Sequence, residues 1–333
     1  MSQVQLVSGI DCSRCADTDG VKLRRVPALA LALLLTSCVA PPHVPDGRLS
    51  LPRDIRVRSA GRIVAVPLEE YVLGSALAEV FPQSETAPVA ERIFEVQAVL
   101  ARSYATSHVG RHRAEGFDLC DGAHCQLYEP ARIKTSRLSA IARTAVERTA
   151  GTLLAYSARP VEALFHADCG GYTAAADAVW GGPAVPYLVP LRDEFRSATH
   201  GTWSRAISSD DLRNILNGDA RSRVGASLQD VRVDRRDVSG RAIAMSVSGP
   251  QPHQLRGEDF RAILNQRLGQ TAIQSTRFAI RRNGRTYIFE GTGHGHGVGL
   301  CQLGAAARAR AGESPDRILE TYFHGATLVK VGH

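Results

Sequence analysis

The 333-residue sequence lacks any apolar run of the ~20 residues that a bilayer-spanning helix requires, lacks a basic run interleaved with aromatics, and lacks an internal repeat. These absences make a helical membrane span a weak reading, leave no footprint of a nucleic-acid binder, and give no repeat period that a solenoid would show. Low-complexity sequence is confined to the proline-rich VAPPHVPDG at 39–47, which reads as a tether. The chain is long enough for one large or two smaller domains around a real core. Its net charge of +7 suits an anionic polymer or a membrane surface.

The N-terminus reads as an export signal. Lys22, Arg24 and Arg25 precede an apolar run at 27–35 that ends at Leu35-Thr36-Ser37-Cys38. This is the layout of a lipoprotein signal whose Cys38 becomes the lipidated first residue of the mature chain. Residues 1–20 have no signal character, and Val21 could serve as the start, leaving 1–20 untranslated. Loss of residues 1–37, with four basic and three acidic side chains, lowers the net charge by one to +6. In a cell with two membranes, Val39 rather than aspartate after Cys38 points to the periplasmic face of the outer membrane. Of the seven cysteines, Cys12 and Cys15 go with the leader and Cys38 takes the lipid. Cys120, Cys125, Cys169 and Cys301 remain, an even number for an oxidising compartment.

Beyond the tether, the pattern predicts a strand at 55–66, then a helix after Pro67 that places Leu68, Val72, Ser75, Ala76 and Glu79 on one face and closes at Pro82. A second helix runs from Val89 to about Ser107 with Phe94, Ala98, Ala101 and Ala105 on one face. A third, at 134–149, stops at Gly151 and leads into strand-like sequence at 152–167. From about 203 the pattern alternates, with hairpins expected at 231–249 and 276–291, the second turning at Asn283-Gly284. Helices return at 302–311 and 315–323. The expected fold class is α+β, a helical catalytic part with an intervening β-rich part of hairpins. The expected boundaries are a signal at 1–37, a tether at 38–50, a catalytic region at 51–202, a β-rich part at 203–290, and 291–333 completing the catalytic region.

Chemistry-bearing residues gather in LEEYVLGSALAE at 68–79, LCDGAHCQLY at 119–128, HADCGGYT at 166–173 and GHGHGVGLCQLGA at 293–305. Cys120, His124 and Cys125 are zinc-type ligands, for which His112 is the nearest fourth donor and His108 the next. The alternative is a Cys120–Cys125 disulfide closing a small loop. His294 and His296 alternate with glycines that let a backbone approach a ligand closely. That alternation is not a nucleotide loop, because the strand–loop–helix setting and the distal acid are missing; a metal site on these histidines is the less favoured alternative, because no acidic partner lies adjacent. His166 with Cys169 invites a Cys/His protease, yet HADC is not a protease signature.

Six segments in fixed order, LEEYVLGSALAEV, QAVLARSYA, CDGAHCQLY, HADCGGYT, VWGGPAVPYL and GHGVGLCQLGA, resemble the SpoIID/LytB family, the stage II sporulation protein D and amidase-enhancer group. The resemblance covers nearly all of 51–330. It implies a peptidoglycan lytic transglycosylase that cleaves MurNAc–GlcNAc bonds to leave 1,6-anhydroMurNAc ends, with Glu79 as general acid and base. The residues agree with that role. Glu79 lies in the last turn of its helix, where the dipole disfavours ionisation, and Ala76, Val80 and Phe81 flank it with apolar groups. A protonated carboxyl is what a glycosidic oxygen needs from its acid. On pattern alone Glu79 could instead be a solvated helix-end charge, while Glu69 and Glu70 sit in the first turn and stabilise the helix N-terminus.

The resemblance also implies substrate contacts from Arg102, Tyr104, His166, His296 and Gln302, and a structural zinc on Cys120, His124 and Cys125, with His112 as the fourth ligand by nearness rather than by alignment. Cys169 and Cys301 both stand where the family has serine, which suggests a disulfide between them; two small buried thiols are the plainer alternative. The implied partners are peptidoglycan glycan strands, a cell-wall amidase, and the membrane through the lipid anchor, with no nucleic acid. Two other classes compete: a non-catalytic glycan-binding scaffold that stimulates an amidase, and a metallohydrolase. One departure from the family spacing, the extra stretch PQSETAPVAERIF at 82–94, lies where it would reshape the cleft wall beside Glu79.

Overall fold

The computed structural model describes residues 49–193, 195 and 201–332, so the signal, Cys38 and the tether up to residue 48 lie outside the described residues. The fold is α+β. Strands β1 (Asp54–Ser59) and β2 (Arg62–Pro67) form an antiparallel hairpin where the pattern suggested one strand. Ala60 and Gly61 both take positive φ, 48° and 77°, and reverse the chain between them. Helix α1 (Leu68–Glu79) follows from Pro67 without a loop, and α2 (Ala87–Ser107) begins with Pro88 in its first turn. Strand β3 (Leu119–Cys120) then joins β1 in parallel.

The single helix expected at 134–149 is two, α3 (Arg132–Thr135) and α4 (Ser139–Arg148). Ser136 breaks it by taking extended backbone, and its Oγ accepts the Leu138 N–H at 3.2 Å. A serine that bonds its own neighbourhood in this way competes with the helix ladder. The chain continues through β4 (Thr152–Tyr156), β5 (Arg159–Pro160), β6 (Phe165–His166) and α5 (Ala176–Trp180).

The middle segment contains β7 (Thr202–Ser208), α6 (Ser209–Asn217), β8 (Asp230–Arg236), β9 (Ala242–Ser248), β10 (His253–Leu255), α7 (Gly257–Leu268), β11 (Phe278–Asn283) and β12 (Thr286–Thr292). Its sheets, in the orders β10-β9-β8 and β11-β12-β7, enclose a core running from Trp203 to Phe289. Both expected hairpins are present. The second turns one residue later than read, at Gly284-Arg285, because Asn283 already pairs with Thr286. Helices α6 and α7 depart from the all-hairpin expectation. Ser208 caps α6 by accepting the Asp211 N–H at 3.0 Å, and Asp210 and Asp211 favour the positive end of the helix.

The chain then returns with β13 (Leu300–Cys301), parallel to β6, followed by α8 (Gln302–Arg310), α9 (Pro315–Tyr322) and β14 (Thr327–Lys330), which pairs with β4. Helix α2 sits at the centre. Phe94, Ala98, Ala101 and Ala105 pack with α1 and α4, as the spacing predicts, while Val96, Val99 and Leu100 pack on the opposite side with α8 and α9. Every residue from 94 to 105 is buried, the mark of a helix with no solvent face.

Arg102 lies inside this helix with no exposed surface. Its Nε and Nη2 bond the Glu69 carboxylate at 2.9 and 2.5 Å, and its Nη1 bonds the Thr152 carbonyl at 2.8 Å. Those bonds tie α1, α2 and β4 together and overturn the reading of Arg102 as a substrate contact. Arg102 is buried while Glu69 keeps 30% of its side chain exposed, so removing Arg102 leaves a partly solvated carboxylate and an unpaired Thr152 carbonyl. Arg102→Met is therefore expected to cost about 1–3 kcal/mol of unfolding free energy in urea; a loss well under ~1 kcal/mol, as for a surface pair, would show the pair to be dispensable.

Candidate active site

Glu79 is the last residue of α1, is 7% exposed, and has no basic residue in the same helical turn. Its Oε1 accepts the Leu127 N–H at 2.8 Å. Burial lifts the carboxyl from its ordinary 4.5 to about 8, the Leu127 donor works against that rise, and the nearby Glu129 charge adds to it. At neutral pH this side chain is an acid holding its proton. Gln302, the first residue of α8, reaches across with its Nε2 3.4 Å from the Glu79 carbonyl and 3.4 Å from Gln97 Oε1.

The segment that supplies Leu127 is held from both sides. Tyr71 on α1 donates its hydroxyl to Gln126 Oε1 at 3.2 Å, and its ring stacks on Tyr128 at 5.1 Å. Tyr128 also lies over Gly74, where a Cβ would come within 2.6 Å of the ring. A mid-helix glycine costs about 1 kcal/mol relative to alanine, and this contact is its reason.

On the N-terminal side the segment meets a cluster of His112, Cys120, His124 and Cys125, whose donor atoms all lie within 4.8 Å of one another. His112 Nε2 stands 3.3 Å from Cys125 Sγ, and His124 Nδ1 stands 3.6 Å from Cys125 Sγ and 3.8 Å from Cys120 Sγ. Zinc bonds of 2.0–2.3 Å set tetrahedral edges of about 3.3–3.8 Å, so the donor set fits that ion. His112 Nδ1 is 2.8 Å from Glu115 Oε1, the carboxylate behind a histidine that orients a metal ligand. Cys120 and Cys125 are unbridged, and His108 is outside the cluster, its Nδ1 on the Tyr104 carbonyl at 2.9 Å.

The HADCGG and GHGHG segments lie against each other. Asp168 and His294 exchange backbone hydrogen bonds at 2.8 and 3.0 Å, and Cys301 pairs with His166 across β13 and β6. A Cβ on Gly297 would strike the Arg241 guanidinium, and one on Gly299 would strike the Leu164 carbonyl. The glycines therefore admit the protein's own atoms, which corrects the expectation that they admit a ligand. Arg241, fully buried, comes from the middle segment and bonds the Gly295 and Cys169 carbonyls, each at 3.2 Å.

The predicted substrate residues divide accordingly. Gln302 stands beside Glu79. His296 is part-buried, accepts the Val298 N–H at 3.0 Å, and has its ring 5.1 Å from that of Trp180. His166 is 3% exposed, and burial, then the neighbouring His296 and Arg241, hold it well below its ordinary pKa, which corrects its reading as a sugar contact. Tyr104 is corrected likewise: it is buried, stacked on His108 at 4.0 Å, with its hydroxyl bonded by Arg111. Cys169 and Cys301 meet as predicted but as separate thiols, the Cys169 N–H donating to Cys301 Sγ at 3.2 Å. Sequence reasoning missed the Leu127 N–H, which has no side-chain signature, and Trp180, whose VWGG setting was a signal that carried no assigned role.

The family described as Stage II sporulation protein matches residues 57–156, and a domain of unknown function matches 197–299. An uncharacterized protein of Brachyspira hyodysenteriae is 29% identical, over 79% of this chain and 66% of its own length. The Stage II sporulation protein D of Bacillus amyloliquefaciens is 26% identical, over 87% of this chain and 81% of its own. Over residues 57–156 the chain is thus similar to the SpoIID family, and its relatives carry the names Stage II sporulation protein D and Amidase enhancer. Its matched part includes the whole of α1 and of the metal-type cluster. The Amidase enhancer of Bacillus subtilis is 29% identical, over 55% of this chain and 32% of its own length.

The raised acid of Glu79 has a thermodynamic signature. Between pH 4.5 and about 8 the folded protein keeps a proton that the unfolded chain releases, so stability falls as pH rises through that window. The slope reaches at most about 1.4 kcal/mol per pH unit. Glu79→Gln is expected to lack this component, so its advantage over wild type in urea unfolding grows with pH across the window. A constant difference would mean an ordinary carboxyl.

Proposed function

We propose that this protein is a peptidoglycan lytic transglycosylase that cleaves the MurNAc–GlcNAc bond and leaves 1,6-anhydroMurNAc ends. The observation that carries the reading is the Glu79 carboxyl, buried at a helix C-terminus, protonated at neutral pH and steadied by one backbone donor. An acid so poised protonates the glycosidic oxygen as the bond to the anomeric carbon breaks. Most glycosidases then need a second carboxylate to activate water or to attack the sugar. Here the muramic 6-hydroxyl attacks the same anomeric carbon, and the Glu79 carboxylate takes up its proton. Gln302 on the Glu79 carbonyl fixes the end of α1, and His296 with Trp180 offers a ring surface and a polar edge for a sugar.

In this reading zinc on His112, Cys120, His124 and Cys125 is structural. It would cross-link the segment that carries Leu127 and supply no step of the reaction. The lipoprotein-type sequence that ends at Cys38 supports a tethered location in the cell envelope. The relative named Amidase enhancer favours a second reading, a glycan-binding scaffold that stimulates a separate amidase.

Digestion of sacculi and of peptide-free glycan strands by the mature domain separates the two. Wild type is expected to release anhydro-ended products detected by mass spectrometry, and Glu79→Gln to release them 10²–10⁴-fold more slowly. Folded wild-type protein that binds glycan and releases nothing would make the scaffold the better account.

A further inference from the structure

We propose that His166, Cys169 and Cys301 form a second, buried metal site for a thiophilic divalent cation of the zinc class, separate from the cluster that contains His112. One donor atom from each residue lies within 4.8 Å of the other two, and none of the three side chains is more than 3% exposed. His166 Nδ1 is 3.1 Å from the Val298 carbonyl, which can only accept, so Nδ1 carries the hydrogen and Nε2 holds a lone pair. That Nε2 is buried without a hydrogen-bond partner. A carbonyl behind one ring nitrogen, with the other free beside sulfur, is the usual arrangement of a metal-binding histidine.

The sulfurs are prepared as well. Cys169 Sγ accepts the Gly171 N–H at 3.2 Å, and Cys301 Sγ accepts those of Cys169 at 3.2 Å and Gly304 at 3.4 Å. The same N–H donors would hydrogen-bond a metal-bound sulfur as they do the free thiol. Two cysteines and one histidine match the donor set of three-ligand zinc, and thiolates with imidazole select such an ion over magnesium or calcium. Asp193, fully buried with its Oδ2 3.9 Å from Cys169 Sγ, offers a fourth donor. Tyr322 holds that Oδ2 at 2.5 Å, and Arg308 approaches Oδ1 at 3.6 Å.

Binding requires no redox step. Each thiol gives up its proton to solvent as its sulfur takes a metal bond, and the two thiolates balance the divalent charge. Because the ligands are buried, the ion loads as the chain folds. Bound there, it would clamp the loop after β6 to the start of α8 and so fix Gln302 against Glu79. A disulfide would use the same sulfurs but leave His166 Nε2 without a partner.

The test is the metal content of the full mature chain, refolded with zinc under reducing conditions and freed of loose ion, with circular dichroism confirming the fold. Cys169→Ser/Cys301→Ser is expected to carry one zinc fewer per chain than wild type, whatever the first cluster holds. His166→Gln, a milder change, is expected to retain that zinc at least tenfold more weakly in a chelator competition. With cobalt in place of zinc, wild type should gain more thiolate-to-cobalt absorbance than the serine variant. Equal zinc in wild type and the folded serine variant, or a Cys169–Cys301 disulfide mapped by peptide mass in natively isolated protein, would overturn the proposal.

Discussion

A carboxyl at the C-terminal end of a buried helix is costly when charged, because it meets both low dielectric and the negative end of the dipole. The rest of the site depends on how that constraint is met. Glu79 is left neutral and is given one backbone donor, from Leu127, at 2.8 Å. A backbone donor can be placed so only if its strand of chain is rigid. The segment from Cys125 to Tyr128 is accordingly fastened by a tyrosine stack, by a glycine cut away to admit a ring, and by a cluster of sulfur and imidazole donors at its start. Only Gln126 separates Cys125 from Leu127, so anything that cross-links the cluster acts directly on the acid.

This arrangement accounts for which parts were legible in advance. Helix α1, most of α2 and the two long hairpins follow from periodicity and turn residues, and Glu79 could be singled out because both its helical position and its apolar neighbours act in one direction. His112 could be chosen over His108 only as the nearer donor, and the structure brings it in because the chain doubles back between α2 and β3. Arg102, Tyr104 and His166 were misplaced for a common reason. A polar residue in a matched motif can serve the substrate or the scaffold, and only burial and bonding partners distinguish these. Arg102 spends its donors on Glu69 and Thr152, a pairing 33 and 50 residues away that no local pattern encodes. Helices α6 and α7 were hidden because the alternation around them dominates, although Ser208 and the aspartates after it are a legible helix start.

The glycine-rich loop shows how one local feature supports two different functions. Alternating glycines permit close backbone approach, and the sequence cannot say to what. Here the close neighbours are Leu164, His166, Asp168 and Arg241, so the loop is a packing element that orients His296 and Gln302 rather than a cradle for a ligand. Arg241 matters most among these, since it is fully buried and bonds the carbonyls of Gly295 and Cys169, one in each of the opposed loops.

The middle segment is therefore no appendage. Its own core, from Trp203 to Phe289, would be complete without the rest, yet it sends Arg241 into the junction of the two loops and Arg277 to the Gly170 carbonyl. A buried guanidinium is tolerated only where its donors find acceptors, and here the acceptors belong to the loops beside the acid. The physical consequence is that the fold of the segment at 202–292 and the geometry around Gln302 are coupled through these arginines, Arg241 foremost. Loss of the Arg241 bonds would free two carbonyls at the place where His166, Cys169 and Cys301 converge, so disorder introduced far out on the β8–β9 hairpin has a short route to the Glu79 carboxyl.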